Sequence, residues 1–344
     1  MAGDCAPVAP APRASSAHPG LVAGPKPVQL RASRPGTSRP APAIHPLSHQ
    51  APITRAQERG VIAASICYFL WGLVPIFWKQ LAGINAVELI AHRHLWSLVF
   101  VGLVLAAQGG LAGVGAALHG WRAVGLNFLS GTMLTTNWLI YVWGVNTGHV
   151  IECSLGYFLV PLVNVATGRL VLHEHLRPLQ WTAIALAGLG VGILIWQLGH
   201  PPWIALGEAA SWGVYSLMRK QSPLAPLVGL AVETLLLAPL AIGFIAWQHH
   251  LGTGALGRVA AGEQFLVLSS GIVTAVPLLL FAYSAQRIRL STLGLLQYIA
   301  PTVQFVLALA LYHEPFTPDR LISFGLIWAG LVLYTFDNLV VQRR

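Results

Sequence analysis

Three ionisable residues interrupt an otherwise apolar stretch of the sequence between residues 86 and 107. Glu88 and His92 are four positions apart, which places them on one face of a helix, and Arg93 follows directly. A charge inside an apolar helix is costly and must face protein or water. The planar donor fork of arginine suits a carboxylate or phosphate, so Arg93 is predicted to clamp an anion, with His92 beside it. The alternatives are an ion pair with Glu88, or a side chain that extends to the end of the apolar segment.

Three further carboxylates lie in other apolar segments, at Glu152, Glu208 and Glu233. A carboxylate in a partly dry cavity suits the binding and release of a proton. Glu152 is the stronger candidate, and the alternative role for it is an interfacial residue that caps a helix start. Glu208 and Glu233 are weaker versions of the same case.

Polar, aromatic and proline residues in the apolar segments form a third set of candidates. Together they are predicted to line a central cavity, with the prolines as hinges that free backbone carbonyls. Taken singly, the amides could instead only hold helices together, and the tryptophans could only pack. The polar candidates are Asn137, Tyr157, Asn164, Gln297, Tyr298 and Gln304, the hinge candidates are Pro161 and Pro301, and the candidates for stacking on a ligand are Trp71, Trp96, Trp138 and Trp212.

The elements that must position these residues are membrane-spanning helices. The sequence has 344 residues, of which 55% are hydrophobic and only 9% charged, whereas soluble domains carry about 25% charged residues. Ten apolar runs approach the ~20 residues that cross a bilayer, and none alternates as a barrel strand does. The predicted fold is therefore an all-α membrane protein with ten spans, at residues 60–78, 86–107, 121–145, 149–172, 178–198, 203–219, 226–247, 264–286, 290–312 and 318–338.

Basic residues predict the orientation of these spans. The net charge of +9 is spread over the span ends and a Pro-rich tail without a dense patch, so a nucleic-acid partner is not expected. The positive-inside rule places both termini in the cytoplasm, in a multi-pass protein of the cytoplasmic membrane. Lys79, Arg258 and Arg320 fall on the outer side, whereas the inner side receives Arg55, Arg59, Arg122, Arg177, Arg219, Lys220, Arg287, Arg289, Arg343 and Arg344.

The sequence repeats itself at an offset of about 140 residues. Trp71-Gly72 returns as Trp212-Gly213, and His173-Glu174 returns as His313-Glu314. Glu233 occupies the repeat position of His92. Each copy holds five spans, an odd number, so the second copy must enter the membrane from the opposite side. Such inverted repeats are typical of secondary transporters.

These observations predict four regions. Residues 1–58 are rich in Pro, Ala and Arg and are predicted to be a disordered cytoplasmic tail. Residues 59–200 and 201–338 are the two five-helix repeats. Residues 339–344 form a cytoplasmic C-terminal tail.

Metal and nucleotide chemistry are not expected. His92 and His94 point about 200° apart on a helix, and the pairs His173/His175 and His249/His250 fall on opposite sides of the bilayer. No Walker A sequence is present, and residues 109–115, GGLAGVG, lack the order of a dinucleotide fingerprint. No cofactor is predicted.

Several long motifs resemble one known family. They are FLWGLVPIFWK (69–79), ELIAHRHLWSL (88–98), GHVIECSLGYFLVPLVNV (148–165), STLGLLQYIAPTVQF (291–305) and YHEP (312–315). The chain resembles the RarD-type permeases of the EamA group, within the drug/metabolite transporter superfamily, from about Arg59 to Phe336. The resemblance implies a ten-helix permease that transports a small solute, coupled to an ion gradient or to exchange. It also implies export, and it makes spans 5 and 10 supporting or dimerising helices.

The function expected from the sequence is therefore a non-enzymatic secondary transporter for a small metabolite or drug-like solute. Its expected partners are the substrate, membrane lipid, a proton as coupling ion and a second copy in a homodimer. The alternatives are a non-transporting sensor or scaffold, a translocator of a lipid-like substrate, and a membrane enzyme. An enzyme would need acidic, His or Cys residues that converge at one depth, and the sequence does not place any so.

Overall fold

The chain is built of helices joined by short connections. The computed structural model describes residues 54–311 and 318–342, and in these ranges it contains twelve α-helices and no strand. The helices are α1 Arg55–Lys79, α2 Ala86–Ala107, α3 Leu111–His119, α4 Trp121–Asn146, α5 Val150–Leu170, α6 Pro178–Leu198, α7 Trp203–Gln221, α8 Pro226–His250, α9 Ala261–Ala285, α10 Leu290–Leu296, α11 Ile299–Ala310 and α12 Pro318–Gln342.

Seven stretches within the described residues are long and apolar enough to cross a membrane. They are α1, α2, α5, α6, α8, α9 and Leu290–Leu307, which covers α10 and most of α11. Helices α4 and α7 contain more polar residues, and the apolar part of α12 is shorter, at Ile322–Asp337. The chain is therefore an all-helical, multi-pass membrane protein.

Side chains at the start of α1 and α2 explain why these helices begin where they do. Thr54 accepts a hydrogen bond from the amide of Gln57, whose side chain returns to the amide of Thr54, so the two form a capping box. Asn85 accepts from the amides of Val87 and Glu88. Helix α1 thus begins at Arg55, inside the predicted tail.

Both predicted tails include residues that are helical in the structure. Helix α12 runs to Gln342, so most of the predicted C-terminal tail is helical. Residues 1–53, 312–317 and 343–344 lie outside the described residues, and so do the predicted YHEP motif and most of the N-terminal tail.

The predicted ninth span is divided into two helices. Pro301 has no amide hydrogen to donate to the carbonyl four residues earlier, that of Gln297, and its ring crowds that carbonyl. The carbonyl of Gln297 accepts from Ala300 instead, and the helix is interrupted at Gln297 and Tyr298. Helix α3 is a second departure, because its nine residues lie between the predicted spans 86–107 and 121–145.

Glycines create the close helix contacts, and these contacts come in pairs separated by about 140 residues. A Cβ on Gly72 of α1 would overlap Val303 of α11, and one on Gly213 of α7 would overlap Val163 of α5. Helices α6 and α12 are joined by a second pair of such contacts, in which a glycine of each helix meets a backbone carbonyl of the other. A Cβ on Gly190 would lie 2.7 Å from the carbonyl oxygen of Ser323, and one on Gly330 would lie 2.6 Å from that of Ala183.

The main apolar core lies where α1, α5, α7 and α9 meet. The residues there are buried, and three aromatic rings from two of these helices stack or meet edge to face: Trp212 and Tyr215 of α7 and Phe281 of α9. A second core fills the space between α5, α6, α10 and α12. These two cores fix the helices whose other faces surround the cavity described next.

Candidate functional site

A cavity of about 780 Å³ lies among α1, α2, α4, α5, α7 and α10–α11. Its wall includes Lys79 and Ala82, which are exposed beside the α1–α2 connection, and it extends inward to Trp71 and Ala300. Aromatic side chains supply much of the surface. Polar side chains in the wall are Lys79, Arg93, Asn137, Glu208, Gln297 and Gln304.

Arg93 is held in the wall by aromatic faces. Its guanidinium carbon lies 4.0 Å from the ring centre of Trp138 and 4.6 Å from that of Trp78, and its Nε donates to the hydroxyl of Thr274 at 3.0 Å. Cation–π contacts of this kind contribute about 0.5–2 kcal/mol each. Within the described residues, no carboxylate pairs with Arg93 and no acceptor binds its two terminal nitrogens. The geometry leaves the donor fork available to a ligand.

Arg93 and Glu88 do not form the ion pair that the sequence offers as an alternative. Glu88 is buried and accepts a hydrogen bond from the backbone amide of Ala255 at 2.6 Å. His92 lies 3.6 Å from the same carboxylate, fully buried, and the structure does not place it in the cavity wall. Arg93 and His92, which the sequence predicts to act side by side, thus lie in different surroundings: Arg93 lines the cavity, and His92 is buried in the protein interior.

The amide candidates divide between the cavity and the helix contacts behind it. Asn137 lines the cavity and donates to the backbone carbonyl of Glu208 at 2.8 Å. Gln304 lines it as well and donates to the carbonyl of Trp71 at 3.4 Å. Gln297 lies in the wall and accepts from Asn164 at 3.0 Å.

Asn164 itself is fully buried behind the wall, and its own oxygen has no partner within the described residues. Tyr298 is buried too and donates to the carbonyl of Phe158 at 3.1 Å. Both side chains join α5 to the break between α10 and α11. Pro301 lies in the cavity wall next to that break, whereas α5 continues unbroken through Pro161.

Aromatic side chains form two groups in the cavity. Trp71 lies edge to face against Trp212, with ring centres 5.2 Å apart, and these two residues are repeat equivalents. Tyr157 meets Tyr141 edge to face at 5.6 Å. Both pairs line the cavity, so stacking surfaces stand near Arg93 and also at the deep end.

Two of the carboxylate candidates are engaged elsewhere. Glu152 accepts from the backbone amide of Ile204 at 3.2 Å, so it caps the start of α7 from the beginning of α5. Glu233 accepts from Arg219 at 3.1 Å and from Ser130 at 2.5 Å in a fully buried ion pair. Neither residue belongs to the wall of the large cavity.

Glu208 is the carboxylate that the structure places at the cavity. It lies on the second turn of α7, is only 3% exposed, and one of its oxygens has no hydrogen-bond partner within the described residues. Its sequence context is no more distinctive than that of Glu152, and only the packing of α5 against α7 separates them. The sequence also gives no signal that Trp78 and Tyr141 belong to the site.

At the opposite end, polar side chains hold the helices together. Glu174, in the α5–α6 connection, accepts from the amides of Leu290 and Ser291 at 2.7 and 3.0 Å, and so caps the start of α10. Lys220 donates to the carbonyls of Ala285 and Ile288 at the end of α9. These contacts close the molecule on the side away from the α1–α2 connection.

Within the described residues there is no group of three or more His, Cys, Asp or Glu side chains that could hold a metal ion. The side chains of the cavity wall have a chemistry of their own. It combines a cationic donor fork, aromatic faces, amides and one buried carboxyl group.

Comparison with known proteins agrees with this architecture. The EamA-like transporter family matches residues 58–196 and again residues 202–336. Protein RarD of Streptomyces exfoliatus is 42% identical over 288 residues, which cover 84% of this chain and 91% of that protein. An uncharacterized transporter of Pseudomonas aeruginosa is also 42% identical, over 83% of this chain and 96% of that protein.

A solved structure, titled only as the crystal structure of a protein, has the same fold. Its TM-score is 0.62 at 19% identity, and the match covers 83% of this chain and 99% of that one. The two family matches together cover most of the chain, and the relatives match along almost their full length. The chain therefore belongs to the EamA-like transporter family, as a RarD-type permease, and is a multi-pass membrane transporter.

Proposed function

We propose that this permease carries a small organic solute with a carboxylate or phosphate group, bound in the cavity by Arg93. The observation that carries the proposal is the arginine itself, which is held between two indole rings while its terminal nitrogens have no acceptor among the described residues. A charge held in this way costs free energy unless a ligand uses it. The cavity, at about 780 Å³, is within the 300–1,000 Å³ typical of sites for small molecules.

The proposed mechanism is alternating access by two inverted five-helix repeats, residues 59–200 and 201–338. Three observations support it. The family matches the chain twice, the glycine contacts recur at an offset of about 140 residues, and the repeat equivalents α6 and α12 pack on each other. Counting α4, α7 and α12 as spans gives ten, as the sequence predicts.

Two nearly equivalent packings follow from such symmetry. In the one described here, the cavity lies beside the α1–α2 connection while Glu174 and Lys220 hold the other end closed. The opposite packing would release these contacts and close the cavity above Arg93.

The protein lies in the cytoplasmic membrane in this proposal. The distribution of its basic residues supports an orientation with both termini in the cytoplasm. The cavity would then face outward. Export follows if the solute is loaded in the inward-facing packing and released in this one. Helices α6 and α12 pack on each other, which buries part of the surface of each. A homodimer that forms through the remaining surface of these two helices is a prediction.

A thermal-shift screen of the purified protein tests the binding function. The panel holds amino acids, sugars, organic acids, nucleosides and aromatic drugs. A ligand at 100 times its dissociation constant adds about 2.7 kcal/mol of stability. We expect an anionic or zwitterionic hit that disappears in Arg93→Gln.

Arg122→Gln is the matched control for this screen. Arg122 also lies over a tryptophan ring, at 5.3 Å from the ring centre of Trp121, but it is at the start of α4, whereas the wall residues of that helix begin at Asn137. A hit that both variants retain would contradict the clamp. A panel without hits, on folded protein, would overturn the anionic substrate in favour of a lipid-like one or of a sensor or scaffold role.

A further inference from the structure

Glu208 is an unusual carboxyl group for the middle of a protein. It is 3% exposed, and its Oε1 has no hydrogen-bond partner within the described residues. Its Oε2 lies in a notch of α5 formed by Gly156, where even the methyl group of an alanine would overlap the carboxyl group. The side chain therefore lies at the contact between α5 and α7, in the wall of the cavity.

The titratable groups that face Glu208 carry no positive charge. Cys153 and Tyr157 face it from α5, and Tyr141 faces it from α4. Among the residues that the structure describes, no Lys, Arg or His pairs with it. An ionised carboxylate without a partner in such surroundings is costly, so these surroundings favour the neutral acid.

The other buried glutamates all have a partner suited to a negative charge. A backbone amide or an arginine donates to each of them, whereas no such donor reaches Glu208 among the described residues, where the thiol of Cys153 is its hydrogen-bonding neighbour. The donors are Ala255 for Glu88, Ile204 for Glu152 and Arg219 for Glu233.

Ionisation of Glu208 would act directly on helix packing. The charge would lie against the backbone of α5, which belongs to the first proposed repeat, while Glu208 is on α7 of the second. On the side of Gly156 the contact is too close for water or a cation, so only the cavity side could hydrate the charge. The packing described here is thus compatible with the protonated side chain and disfavours the charged one.

We propose that Glu208 is the proton-carrying group of the transport cycle. The inference rests on the proposed function, because it uses the two packings of the repeats. The carboxyl group takes a proton from water of the outward-facing cavity and becomes neutral, which allows α5 and α7 to close. In the opposite packing its O–H bond breaks, the proton passes to water on the cytoplasmic side, and the carboxylate remains.

This order of events exchanges an inward proton for an exported solute. A direct contact between Glu208 and the cationic group of a substrate is the competing role. The structure favours the proton, because the unpartnered oxygen is buried and Oε2 is covered by α5. A proton can reach the buried Oε1 from a water molecule of the cavity, whereas an ammonium group would need a larger opening beside that oxygen.

Infrared spectroscopy of the protein in lipid bilayers at neutral pH tests the protonation state without a substrate. We expect the carbonyl stretch of a protonated carboxyl group in the native protein and its loss in Glu208→Gln. The control is Glu174→Gln, which removes a carboxylate that caps a helix and should leave this band unchanged. A band that survives in Glu208→Gln overturns the proposal.

Cysteine accessibility tests whether that proton controls the conformation. Ala300→Cys places a thiol in the cavity wall, in a chain with Cys5→Ser, and the native Cys67 and Cys153 are buried. A membrane-impermeant maleimide reacts with the thiolate, so each labelling rate is divided by that of an exposed cysteine, Thr253→Cys, at the same pH. This relative rate should be several-fold higher at acidic than at alkaline pH. Glu208→Gln should keep the acidic value throughout, because glutamine mimics the neutral acid.

Either of two labelling results would overturn the inference: a relative rate in the native protein that does not change with pH, or a pH dependence of the relative rate that survives in Glu208→Gln. These failures are separate from failure of the proposed function. A ligand that binds through Arg93 would keep the transporter assignment even if Glu208 proved ionised or irrelevant. Absence of any anionic ligand would instead remove the substrate class and leave the infrared result standing.

Discussion

Arg93 is the residue whose surroundings say most about function. Its charge is matched by two indole faces and a hydroxyl, so the protein stabilises the cation without consuming its donor fork. A carboxylate partner would have satisfied the charge and left nothing for a ligand. The arrangement predicts that the guanidinium shape matters, and not only the charge.

Replacement of Arg93 by lysine tests this point. Lysine keeps the positive charge but loses the planar fork and the broad face that packs between the two rings. We expect the affinity for the anionic ligand found in the screen to fall about tenfold or more, which is about 1.4 kcal/mol. Isothermal titration calorimetry measures the change, with Arg122→Lys as the control. Equal affinity in Arg93→Lys would mean that only charge is recognised.

The sequence singles out Arg93, which lies in the cavity wall, but it ranks Glu152 above Glu208, and Glu208 is the one that lies there. An arginine within an apolar run is conspicuous because its cost is large wherever it points. Glu152 and Glu208 look alike in the sequence, and their difference arises from which backbone lies opposite. An amide of α7 reaches Glu152, whereas a glycine notch of α5 receives Glu208.

At the scale of elements, the apolar runs of the sequence predict where the helices lie but not where a helix is interrupted. Long apolar stretches have one stable form in a bilayer, so eight of the predicted spans each correspond to one helix in α1–α9, and the last corresponds to α12. The sequence predicts hinges at both Pro161 and Pro301, whereas the structure interrupts the helix beside Pro301 and leaves α5 continuous through Pro161. Local sequence does not separate these two outcomes, and the contacts around each proline do.

Glycines in the α6–α12 contact provide a test at this scale. Alanine at Gly190 or Gly330 would bring a methyl group against a backbone carbonyl of the facing helix. Overpacking of this kind costs about 1–3 kcal/mol. We expect a lower Tm for either variant in a thermal unfolding experiment.

Gly188 and Gly325 supply the matched controls, because nothing lies within 4 Å of a Cβ at either position. Alanine there should leave Tm unchanged, or raise it, since alanine favours a helix by up to about 1 kcal/mol over glycine. Equal losses at all four positions would mean that the helix contact is not the cause.

For the whole molecule, the key feature is a cavity at one end and a polar closure at the other. Glu174 makes three charge-assisted hydrogen bonds to the start of α10, two from backbone amides and one from the hydroxyl of Ser291. Bonds to a charged group contribute about 1.5–3 kcal/mol each. The closure is therefore strong enough to bias which end is open.

Glu174→Gln should weaken this closure. We expect Ile288→Cys, a buried position at the closed end, to be labelled several-fold faster by maleimide in inside-out vesicles. Glu263→Gln is the control, because Glu263 caps α9 at the other end of the molecule. An unchanged rate in Glu174→Gln would show that these bonds do not gate access.

The orientation in the membrane can be measured with two exposed positions. Thr253 lies in the α8–α9 connection and His175 in the α5–α6 connection, and both are exposed. With both termini in the cytoplasm, an impermeant reagent should label Thr253→Cys in intact cells and His175→Cys only after permeabilisation. The reverse pattern would invert the predicted topology.

The paired contacts between α6 and α12 also bear on how the protein evolved. Residue i of one helix touches residue j of the other, and their counterparts repeat the contact, which is the pattern of an isologous dimer. A gene that once encoded a self-associating five-helix subunit, duplicated and fused, would leave this pattern behind. Fusion would then have freed the two copies to diverge: Arg93 stands in one copy, and Thr234 occupies its place in the other. One chain can thus hold a single cation at a site that a symmetric ancestor would have had to fill with two.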